Sequence, residues 1–324
     1  GGAGYVGSGL LRELLSKNYN VTCIDNLMFG GESLIDIWHN KNFNFIKCDV
    51  NDWNFFNNIL TNNQFDAVIH LAAIVGDPAC RLQSELAIQT NWESTKWLLD
   101  KSMEIGIKRF IFASTCSNYG KMDNPELYVD EESNLAPVSL YAELKVKFEK
   151  YMLSEIEKRD DFCPTSLRFS TVYGLSPRMR FDLTVNEFTK DLATGKELTI
   201  FGEKFWRPYC HVKDFSNAFI TVLRATDKKV AYNVFNVGDT SENYTKQMLV
   251  DEMIKFIPEA KIIYVDKDED PRDYRVNSDK IKRELGFKIT MRVPDGIKEV
   301  KRMVQDGVIQ NPEDQRYYNI PHEF

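Results

Sequence analysis

The chain has 324 residues, 43% hydrophobic and 27% charged, and its formal net charge at pH 7 is -7. This length suits one large domain or two ordinary ones, and the composition is that of a soluble globular protein. No apolar run reaches the roughly 20 residues that a membrane span needs, and the basic residues are too dispersed to predict a nucleic-acid partner. We therefore expect a soluble protein that interacts with neither membrane nor nucleic acid.

The cysteines and histidines are scattered along the chain. They are Cys23, Cys48, Cys80, Cys116, Cys163 and Cys210, and His39, His70, His211 and His322. No pair of cysteines or histidines has the spacing of a zinc site, so no metal site is predicted. Unpaired thiols and the lack of a signal-peptide pattern in the sequence favour a reduced, cytoplasmic protein.

A glycine-rich turn, Gly1-Gly2-Ala3-Gly4-Tyr5-Val6-Gly7, leads into a helical pattern at 8–17. Without Cβ atoms in the way, backbone N–H groups and the helix dipole can meet a pyrophosphate. The strand pattern at 21–25 ends in Asp25, an acid that in such a site binds the adenosine ribose and favours NAD over NADP. The strand that should precede this turn is absent from the sequence.

Strand and helix patterns then alternate. Strands are predicted at 43–46, 67–71, 110–114 and 165–172, and helices around 52–60, 84–105 and 141–158. This alternation predicts an α/β fold with a doubly wound parallel sheet. Ligands of such sheets bind beyond the carboxyl ends of the strands, where Asp25, Asp49, Ala72, Ser114 and Thr115 fall.

The regular alternation of predicted strands and helices ends after residue 173. A turn-rich basic stretch is predicted at 174–180, helices at 182–194, 215–224 and 278–285, and strands at 198–202, 232–237 and 261–265, with a charged segment at 266–275. No flexible linker separates the halves. We assign 1–173 to a cofactor-binding domain that a strand at 232–238 rejoins, and 174–231 and 239–324 to a smaller interleaved α/β lobe that binds substrate.

Tyr141 and Lys145 lie four residues apart at the start of a predicted helix, so both side chains can point into one pocket. A positive charge beside a phenol stabilises the phenolate and pulls its pKa from about 10 towards neutrality. The pair is therefore a candidate base. The alternative is a solvated helix face.

Taken together, these features resemble the extended short-chain dehydrogenase/reductase family of nucleotide-sugar epimerases and dehydratases, which have a Rossmann-type fold. The matching landmarks are the turn at 1–7, Asp25-Asn26, Asp49-Val50, His70-Leu71-Ala72-Ala73, Asn91, Ser114 to Gly120, Pro137 to Tyr141 with Lys145, and Arg207 to Asp214. The glycine register of the family is G-x-x-G-x-x-G, which selects Gly1, Gly4 and Gly7.

The resemblance implies an NAD site. Its residues are Gly1, Gly4, Tyr5, Val6, Gly7, Asp25, Asn26, Asp49, Val50, Leu71, Ala72, Ala73, Asn91, Ser114, Tyr141 and Lys145. Asp25 would bind the ribose, Asp49 and Val50 the adenine edge, and Lys145 the nicotinamide ribose. Asn91 would support the pocket, or alternatively cap the start of a helix.

It also implies a nucleotide-sugar site, in which Tyr141 takes the proton of a sugar hydroxyl and Thr115 holds the reacting oxygen. The substrate residues are Thr115, Cys116, Ser117, Thr171, Arg180, Arg207, Arg272 and Arg275. Arginine suits a diphosphate because its donors are planar and bidentate. Arg178 is a further candidate, although surface solvation is the default interpretation of both Arg178 and Arg180. We expect His211 to be structural and Asp214 to cap a helix.

The residues after Thr115 bear on the reaction. The 4,6-dehydratases of the family carry an Asp-Glu pair there, whereas this chain has Cys116 and Ser117, so dehydration is disfavoured. We interpret Cys116 as pocket lining. The alternative is a reactive acid, as in the epimerase-reductases that make GDP-fucose. Asn118 and Thr171 depart from the residues usual in the family and leave the sugar open.

The resemblance thus implies NAD-dependent oxidation and reduction at C4 of a nucleotide-activated sugar, most directly by a 4-epimerase. A 4-dehydrogenase stays open, because parts of the sequence resemble relatives that act on GDP-heptoses in polysaccharide biosynthesis, and so does a 4-keto-sugar reductase. A non-catalytic NAD sensor is disfavoured. The family also predicts a homodimer, with Trp92, Trp97, Leu98 and Tyr151 either at the interface or in the core.

Overall fold

The computed structural model describes residues 1–122, 124, 127–155, 158–265 and 272–320. Within these ranges the strands are β1 (Val21–Asp25), β2 (Phe43–Lys47), β3 (Ala67–His70), β4 (Arg109–Thr115), β5 (Cys163–Phe169), β6 (Thr171–Tyr173), β7 (Leu198–Phe201), β8 (Trp206–His211), β9 (Asn233–Val237), β10 (Asn243–Thr245) and β11 (Ile262–Val265). The α-helices are α1 (Tyr5–Ser16), α2 (Trp53–Asn62), α3 (Asp77–Leu82), α4 (Ser84–Ile88), α5 (Thr95–Glu104), α6 (Leu140–Lys150), α7 (Thr184–Ala193), α8 (Val212–Arg224), α9 (Asp227–Val230), α10 (Lys246–Ile254), α11 (Asp279–Leu285) and α12 (Val293–Gln305).

Parallel strands form the larger part of the fold. β1 pairs with β2, and β3, β4, β5 and β9 form a second sheet in that order, all in parallel. The glycine turn joins the carboxyl ends of β1 and β3: Ala3 N–H donates to Asp25 Oδ2 at 3.0 Å, and a Cβ on Gly1 would lie 2.5 Å from Ala72 N. The strand ends that carry polar residues therefore meet along one edge.

Helices cover both faces of this sheet because the strands are apolar on both sides. On β4, Phe110 and Phe112 pack against α2, α5 and α6, while the intervening Ile111 packs against α1, α8 and α11 on the opposite face. This is the period of two expected of a strand. The predicted α/β, Rossmann-type doubly wound sheet is confirmed.

The remaining strands form two small sheets beyond β5. β8 lies between β6, its parallel neighbour, and β10, its antiparallel neighbour, and β7 pairs in parallel with β11. Buried residues of α7, α10 and α12 pack against them, among them Val185, Leu249, Val250, Val293 and Ile297. These elements stand beside the carboxyl edge of the parallel sheet and close one side of a cleft.

Several predicted elements were wrong in extent. The strand expected at 165–172 is two strands, because the chain leaves β5 after Phe169 and β6 joins β8 instead. The helix expected at 84–105 contains a π-helical turn, Gln89–Ser94, between α4 and α5. The helix expected at 141–158 ends as α6 at Lys150 and continues as a π-helical turn, Tyr151–Glu155.

Some elements were not predicted at all. They are α3, β6 as a separate strand, β8, α9, β10, α10 and α12. The signal for α12 was present, since Val293, Ile297 and Val300 recur at helical spacing and all three are buried. Residues 266–271 of the charged segment and His322 lie outside the described residues.

Candidate active site

A cleft runs along the carboxyl edge of the parallel strands, between the glycine turn and the second group of sheets. It belongs to a cavity of about 1270 Å³, part of which extends between β1 and β3. The predicted residues that line the cavity are Gly1, Gly4, Tyr5, Val6, Gly7, Asp25, Asn26, Asp49, Val50, Leu71, Ala72, Ala73, Ser114, Thr115, Ser117, Tyr141, Lys145, Thr171, Arg180 and Arg272. Residues from distant parts of the chain are thus brought to one site.

The glycine turn presents the N-terminus of α1 to this cleft. A Cβ on Gly7 would lie 2.5 Å from Gly1 O, so packing within the turn excludes a side chain there. A Cβ on Gly4 would lie 3.5 Å from Gly1 O, which is an ordinary van der Waals contact. Gly4 is the N-cap residue of α1, and no side chain caps the helix. The free N–H groups and the helix dipole therefore make this a place for an anion.

Asp25 at the end of β1 and Asp49 after β2 are held in place by hydrogen bonds at the carboxyl edge of the sheet. Asp25 Oδ1 accepts the N–H of Leu27 at 2.8 Å, in addition to that of Ala3 on Oδ2. Asn26 Nδ2 donates to Asp49 Oδ2 at 2.8 Å. Each carboxylate oxygen has more than one lone pair, so this fixed edge can still accept hydrogen bonds from a ribose.

Tyr141 and Lys145 sit on the first turns of α6, which begins after Ser139, whose hydroxyl caps the helix by accepting the N–H of Ala142. Lys145 Nζ lies 5.8 Å from the centre of the Tyr141 ring. It donates to Ala113 O of β4 at 2.7 Å and lies 4.5 Å from the centre of the Phe112 ring. The lysine is 4% exposed, so its position is fixed by the sheet and not by solvent.

The pKa values of this pair are set by burial. Burial raises the pKa of Tyr141, and the nearby Cys80 and Asp77 add to this, while Arg180 opposes it. Part of the Tyr141 side chain is open to the cleft, so water moderates the rise without reversing it. Burial lowers the pKa of Lys145 to about 8. The expected fall of the pKa of Tyr141 towards neutrality is therefore not met in the ligand-free protein.

The lowered pKa of Lys145 predicts an unusual stability profile. Between pH 8 and 10.5 the unfolded chain holds a proton on Lys145 that the folded chain does not, so stability rises with pH in that window. We expect ligand-free Lys145→Met to be more stable than the wild type at pH 7, by at most about 3 kcal/mol. The advantage should vanish as the pH approaches 10.5, as measured by urea unfolding.

The matched control is Lys150→Met, because Lys150 is exposed on the same helix. The difference in stability between Lys150→Met and the wild type should not change between pH 8 and 10.5. A Lys145→Met protein that is less stable than the wild type by the same amount at pH 7 and pH 10 would contradict the assigned cost of burying the ammonium.

Thr115 ends β4 with its hydroxyl oriented by the chain that follows. Its Oγ1 accepts the N–H of Ser117 at 3.1 Å and so caps the 3₁₀ turn Cys116–Tyr119. The hydroxyl proton of Thr115 therefore remains available to donate to a ligand oxygen. Ser114 Oγ accepts from Asn118 Nδ2 at 3.1 Å.

Cys116 was predicted to line the pocket, and this is wrong. It does not line the cavity, is 1% exposed, and packs with Tyr119, Tyr274 and Val276 beneath the cleft floor. Its thiol donates to Arg168 O at 3.2 Å. Burial raises the pKa of this thiol, which also disfavours the alternative of a reactive acid.

Asn91 does not cap a helix start and does not line the cavity, because it lies inside the π-helical turn between α4 and α5. Its Oδ1 accepts the N–H of Ile74 at 2.8 Å, and its Nδ2 donates to Ile74 O at 2.9 Å. The side chain thus holds the loop that follows β3, which carries Leu71, Ala72 and Ala73. It acts on the cleft through that loop.

The predicted arginines are in two places. Arg180 and Arg272 line the cavity: Arg180 pairs with Asp182 through two bonds of 2.8 Å, and Arg272 Nη1 lies 2.9 Å from Asp77 Oδ2 across the cleft. Arg207 and Arg275 do not line it. They lie against aromatic rings instead, with the Arg275 guanidinium carbon 4.8 Å from the centre of the Trp206 ring and that of Arg207 5.3 Å from the Tyr274 ring.

His211 and Asp214 stabilise the chain behind the cleft. His211 Nδ1 accepts the N–H of Lys213 at the start of α8, and its Nε2 lies 2.6 Å from Glu299 Oε1. The predicted cap role of Asp214 is wrong. Asp214 lies within the first turn of α8, is fully buried, and accepts from Thr290 N and Oγ1 and Met291 N, so it fixes the chain after α11.

Two residues that shape the site were missed. Asp77, at the start of α3, accepts from Ser139 Oγ at 2.6 Å as well as from Arg272. Glu149 forms a buried ion pair with Arg168 of β5. The sequence could have indicated Glu149, because Tyr141, Lys145 and Glu149 follow each other at intervals of four residues and so share one face of α6.

The part of the chain that the structure describes contains neither a metal-ligand cluster nor a membrane-crossing helix. No three His, Cys, Asp or Glu residues there group as ligands for a metal ion. No described helix combines the length and apolar character of a membrane-crossing segment.

Residues 1–238 match the sequence model of the NAD dependent epimerase/dehydratase family. The chain therefore belongs to this family, as a member of the extended short-chain dehydrogenases/reductases, and is an NAD-dependent enzyme. The match spans the glycine turn, Thr115, the Tyr141 and Lys145 pair, and β9.

Its relatives include sugar-nucleotide 4-epimerases. It is 28% identical over 323 residues to UDP-arabinose 4-epimerase 1 of Arabidopsis thaliana, across 89% of this chain and 74% of the relative. It superposes on UDP-glucose 4-epimerase of Thermotoga maritima with UDP-glucose at a TM-score of 0.82 and 26% identity, covering 95% of this chain and 98% of that one. For UDP-glucuronic acid 4-epimerase of Bacillus cereus with UDP-glucuronic acid and NAD, the TM-score is 0.80 at 25% identity, with 94% and 97% covered.

The cleft fits NAD on its own geometry. The uncapped N-terminus of α1 and the open face of Gly4 suit the diphosphate, and the Asp25 edge suits a ribose without a 2′-phosphate. Tyr141 and Lys145 lie at the other end of the same cleft. The residues present are thus consistent with the cofactor of the family.

Proposed function

We propose that the protein is an NAD-dependent 4-epimerase of a UDP-activated sugar. The observation that carries the proposal is that Tyr141, Lys145 and Thr115 meet the glycine turn in one cleft. The proton acceptor, its cationic neighbour and a hydroxyl donor are thus assembled where a sugar carbinol beside a dinucleotide would lie.

Thr115, Tyr141 and Lys145 have separate roles in the proposed reaction. Thr115 donates its hydroxyl proton to the oxygen on C4 and holds it near Tyr141. Tyr141, as the phenolate, takes the proton of that hydroxyl, and returns it when the ketone is reduced. NAD, held by the glycine turn and the Asp25 edge, would supply the hydride acceptor for oxidation at C4 and the hydride donor for reduction of the ketone from the opposite face. The ammonium of Lys145, 5.8 Å from the centre of the Tyr141 ring, opposes the rise that burial causes in the pKa of Tyr141.

The residues beside Thr115 favour epimerisation over dehydration. Elimination of water needs a separate acid and base, but the two residues after Thr115 are a buried thiol and a hydroxyl, Cys116 and Ser117. UDP as the nucleotide rests on the relatives, which include 4-epimerases of UDP-arabinose, UDP-glucose and UDP-glucuronic acid.

The test is incubation with UDP-, GDP- and dTDP-sugars while product mass and NADH are both measured. The proposal requires an isomer of unchanged mass from a UDP-sugar, formed without net NADH. A product lighter by two hydrogens with accumulating NADH would identify a dehydrogenase and overturn it, as would turnover of GDP-sugars alone.

We also propose the domain division 1–173 with 232–238 for NAD, and 174–231 with 239–324 for the sugar nucleotide. A cytoplasmic location is supported by six unpaired cysteines. A homodimer through α5 and α6 is supported by Trp92, Trp97 and Tyr151, which are only partly buried, whereas Leu98 is 2% exposed and belongs to the core. Sedimentation at micromolar concentration would show a monomer if this interface is absent.

A further inference from the structure

Arg178 is a buried cation that the described residues do not neutralise. Arg178 is 7% exposed. Its Nε and Nη2 have no hydrogen-bond partner among the described residues. Its guanidinium carbon lies 4.3 Å from the centre of the Phe29 ring. The nearby carboxylate of Asp182 already accepts hydrogen bonds from Nε and Nη2 of Arg180. The surface solvation considered for Arg178 from sequence is therefore wrong.

This arrangement is costly in the absence of an anion. Burial lowers the pKa of Arg178 to about 10, and the neighbouring Arg180 acts in the same direction. The guanidinium is still charged at pH 7. A buried charge without a partner is destabilising, whereas the same charge hydrogen-bonded to an anion is not. The free donors, beside the Phe29 ring, indicate a site organised for an anion whose paired oxygens can accept two parallel hydrogen bonds.

Arg178 lies at the end of the cleft that contains the glycine turn. Its backbone N–H donates to Ser8 Oγ at 3.4 Å, and Ser176 Oγ donates to Tyr5 O at 2.5 Å. The segment that carries Arg178 is thus attached to the first turn of α1. Phe29 lies on the chain that follows Asp25, and both Phe29 and Arg178 line the same cavity as the glycine turn.

Two independent features at this end of the cavity favour an anion. The first is the uncapped N-terminus of α1, a helix of 12 residues. The second is the unpaired guanidinium of Arg178, which comes from the chain between β6 and α7. The Thr115 and Tyr141 end of the cleft is instead faced by Asp77 and Arg272.

We propose that Arg178 binds the diphosphate of NAD together with the N-terminus of α1. The proposal rests on the proposed function only through NAD binding, so it holds whichever sugar is turned over. The contact would also tie the segment between β6 and α7 to the cofactor, because Arg178 belongs to that segment and not to the glycine turn.

The experiment compares Arg178→Met with the wild type by calorimetric titration of the dinucleotide-free protein with NAD and with ADP. Loss of a charge-assisted contact predicts affinities that are lower by about 10- to 100-fold for both ligands. The affinity of the NAD-saturated protein for UDP should change by less than threefold. Arg178→Lys, which keeps the charge but not the planar donors, should lose less affinity than Arg178→Met.

Two further measurements separate ligand binding from a structural role. The melting temperature of ligand-free Arg178→Met should equal or exceed that of the wild type, because an unpaired buried charge is removed. Arg302→Met, which removes an exposed arginine of α12, should leave NAD affinity unchanged. The proposal is overturned if NAD and ADP bind Arg178→Met as tightly as the wild type, if UDP affinity falls instead, or if the ligand-free variant is destabilised.

Discussion

Tyr141→Phe is expected to lower kcat for the UDP-sugar isomerisation by a factor of about 10² to 10⁴, the range for loss of a positioned acid–base group. The substitution removes only the oxygen that takes and returns the C4 hydroxyl proton. Lys145 and Thr115 remain, but a buried ammonium donates hydrogen bonds and cannot accept that proton. The measurement is steady-state kcat with the sugar that the nucleotide-sugar panel identifies.

The variant should keep its fold and its cofactor. The Tyr141 ring packs with Ile74, Ala79 and Leu144, and phenylalanine retains these contacts. The described residues offer no hydrogen-bond partner to the Tyr141 hydroxyl, so none is lost. NAD affinity and melting temperature should therefore match the wild type.

Tyr264→Phe is the matched control, because Tyr264 is 42% exposed on β11, away from the cleft. Its kcat should be that of the wild type. If Tyr141→Phe retains kcat within threefold, Tyr141 is not the base, and the role assigned to α6 in the reaction is wrong.

Glu149→Met is expected to destabilise the protein by about 3 to 5 kcal/mol, because it removes one partner of a buried ion pair. Glu149 is 2% exposed and Arg168 is 5% exposed. Arg168 Nε donates to Glu149 Oε1 at 3.0 Å, and Ser166 Oγ donates to Oε2 at 2.7 Å. Without the carboxylate, the guanidinium stays buried, and among the described residues only Tyr119 and a backbone oxygen remain as its acceptors.

A double-mutant cycle measures how much of the stability depends on the Glu149–Arg168 interaction and how much on each residue alone. Glu149→Met with Arg168→Met should cost less than either single change, because no charge is then left unpaired. Glu143→Met removes an exposed acid of the same helix and should change stability by less than about 1 kcal/mol. Urea unfolding measures all four proteins. Equal, additive losses from the two single variants would show that the pair is not coupled.

The ion pair also bears on catalysis. Tyr141, Lys145 and Glu149 share one face of α6, and the bond from Glu149 to Arg168 fastens that face to β5. Lys145 is fastened to β4 at Ala113. The helix that carries the proposed base is therefore attached to two adjacent strands, which keeps Tyr141 in register with Thr115 at the end of β4.

Local pattern was enough for much of the fold. β1 was predicted from its apolar run and terminal acid with the bounds that the structure shows, and the α/β class follows from the order of such runs. The i, i+4 spacing of Tyr141 and Lys145 and the glycine turn are equally local. Each of these signals depends on residues a few positions apart, so the sequence displays it directly.

Other features depend on which distant segments pack together. The sequence predicts one strand at 165–172, yet β6 leaves the sheet to pair with β8, which lies more than 30 residues further on. The arginines look alike in sequence, but Arg178 and Arg180 line the cleft while Arg207 and Arg275 stack on aromatic rings.

The sequence by itself determined the class of fold, the cofactor motif and the reacting pair, because periodicity, glycine placement and helical spacing act over short distances. Only the tertiary structure decided the pKa of Tyr141, the burial of Cys116 away from the cleft, and the unpaired charge of Arg178. Burial and electrostatic pairing depend on every segment around a group, and those segments are brought together only by folding.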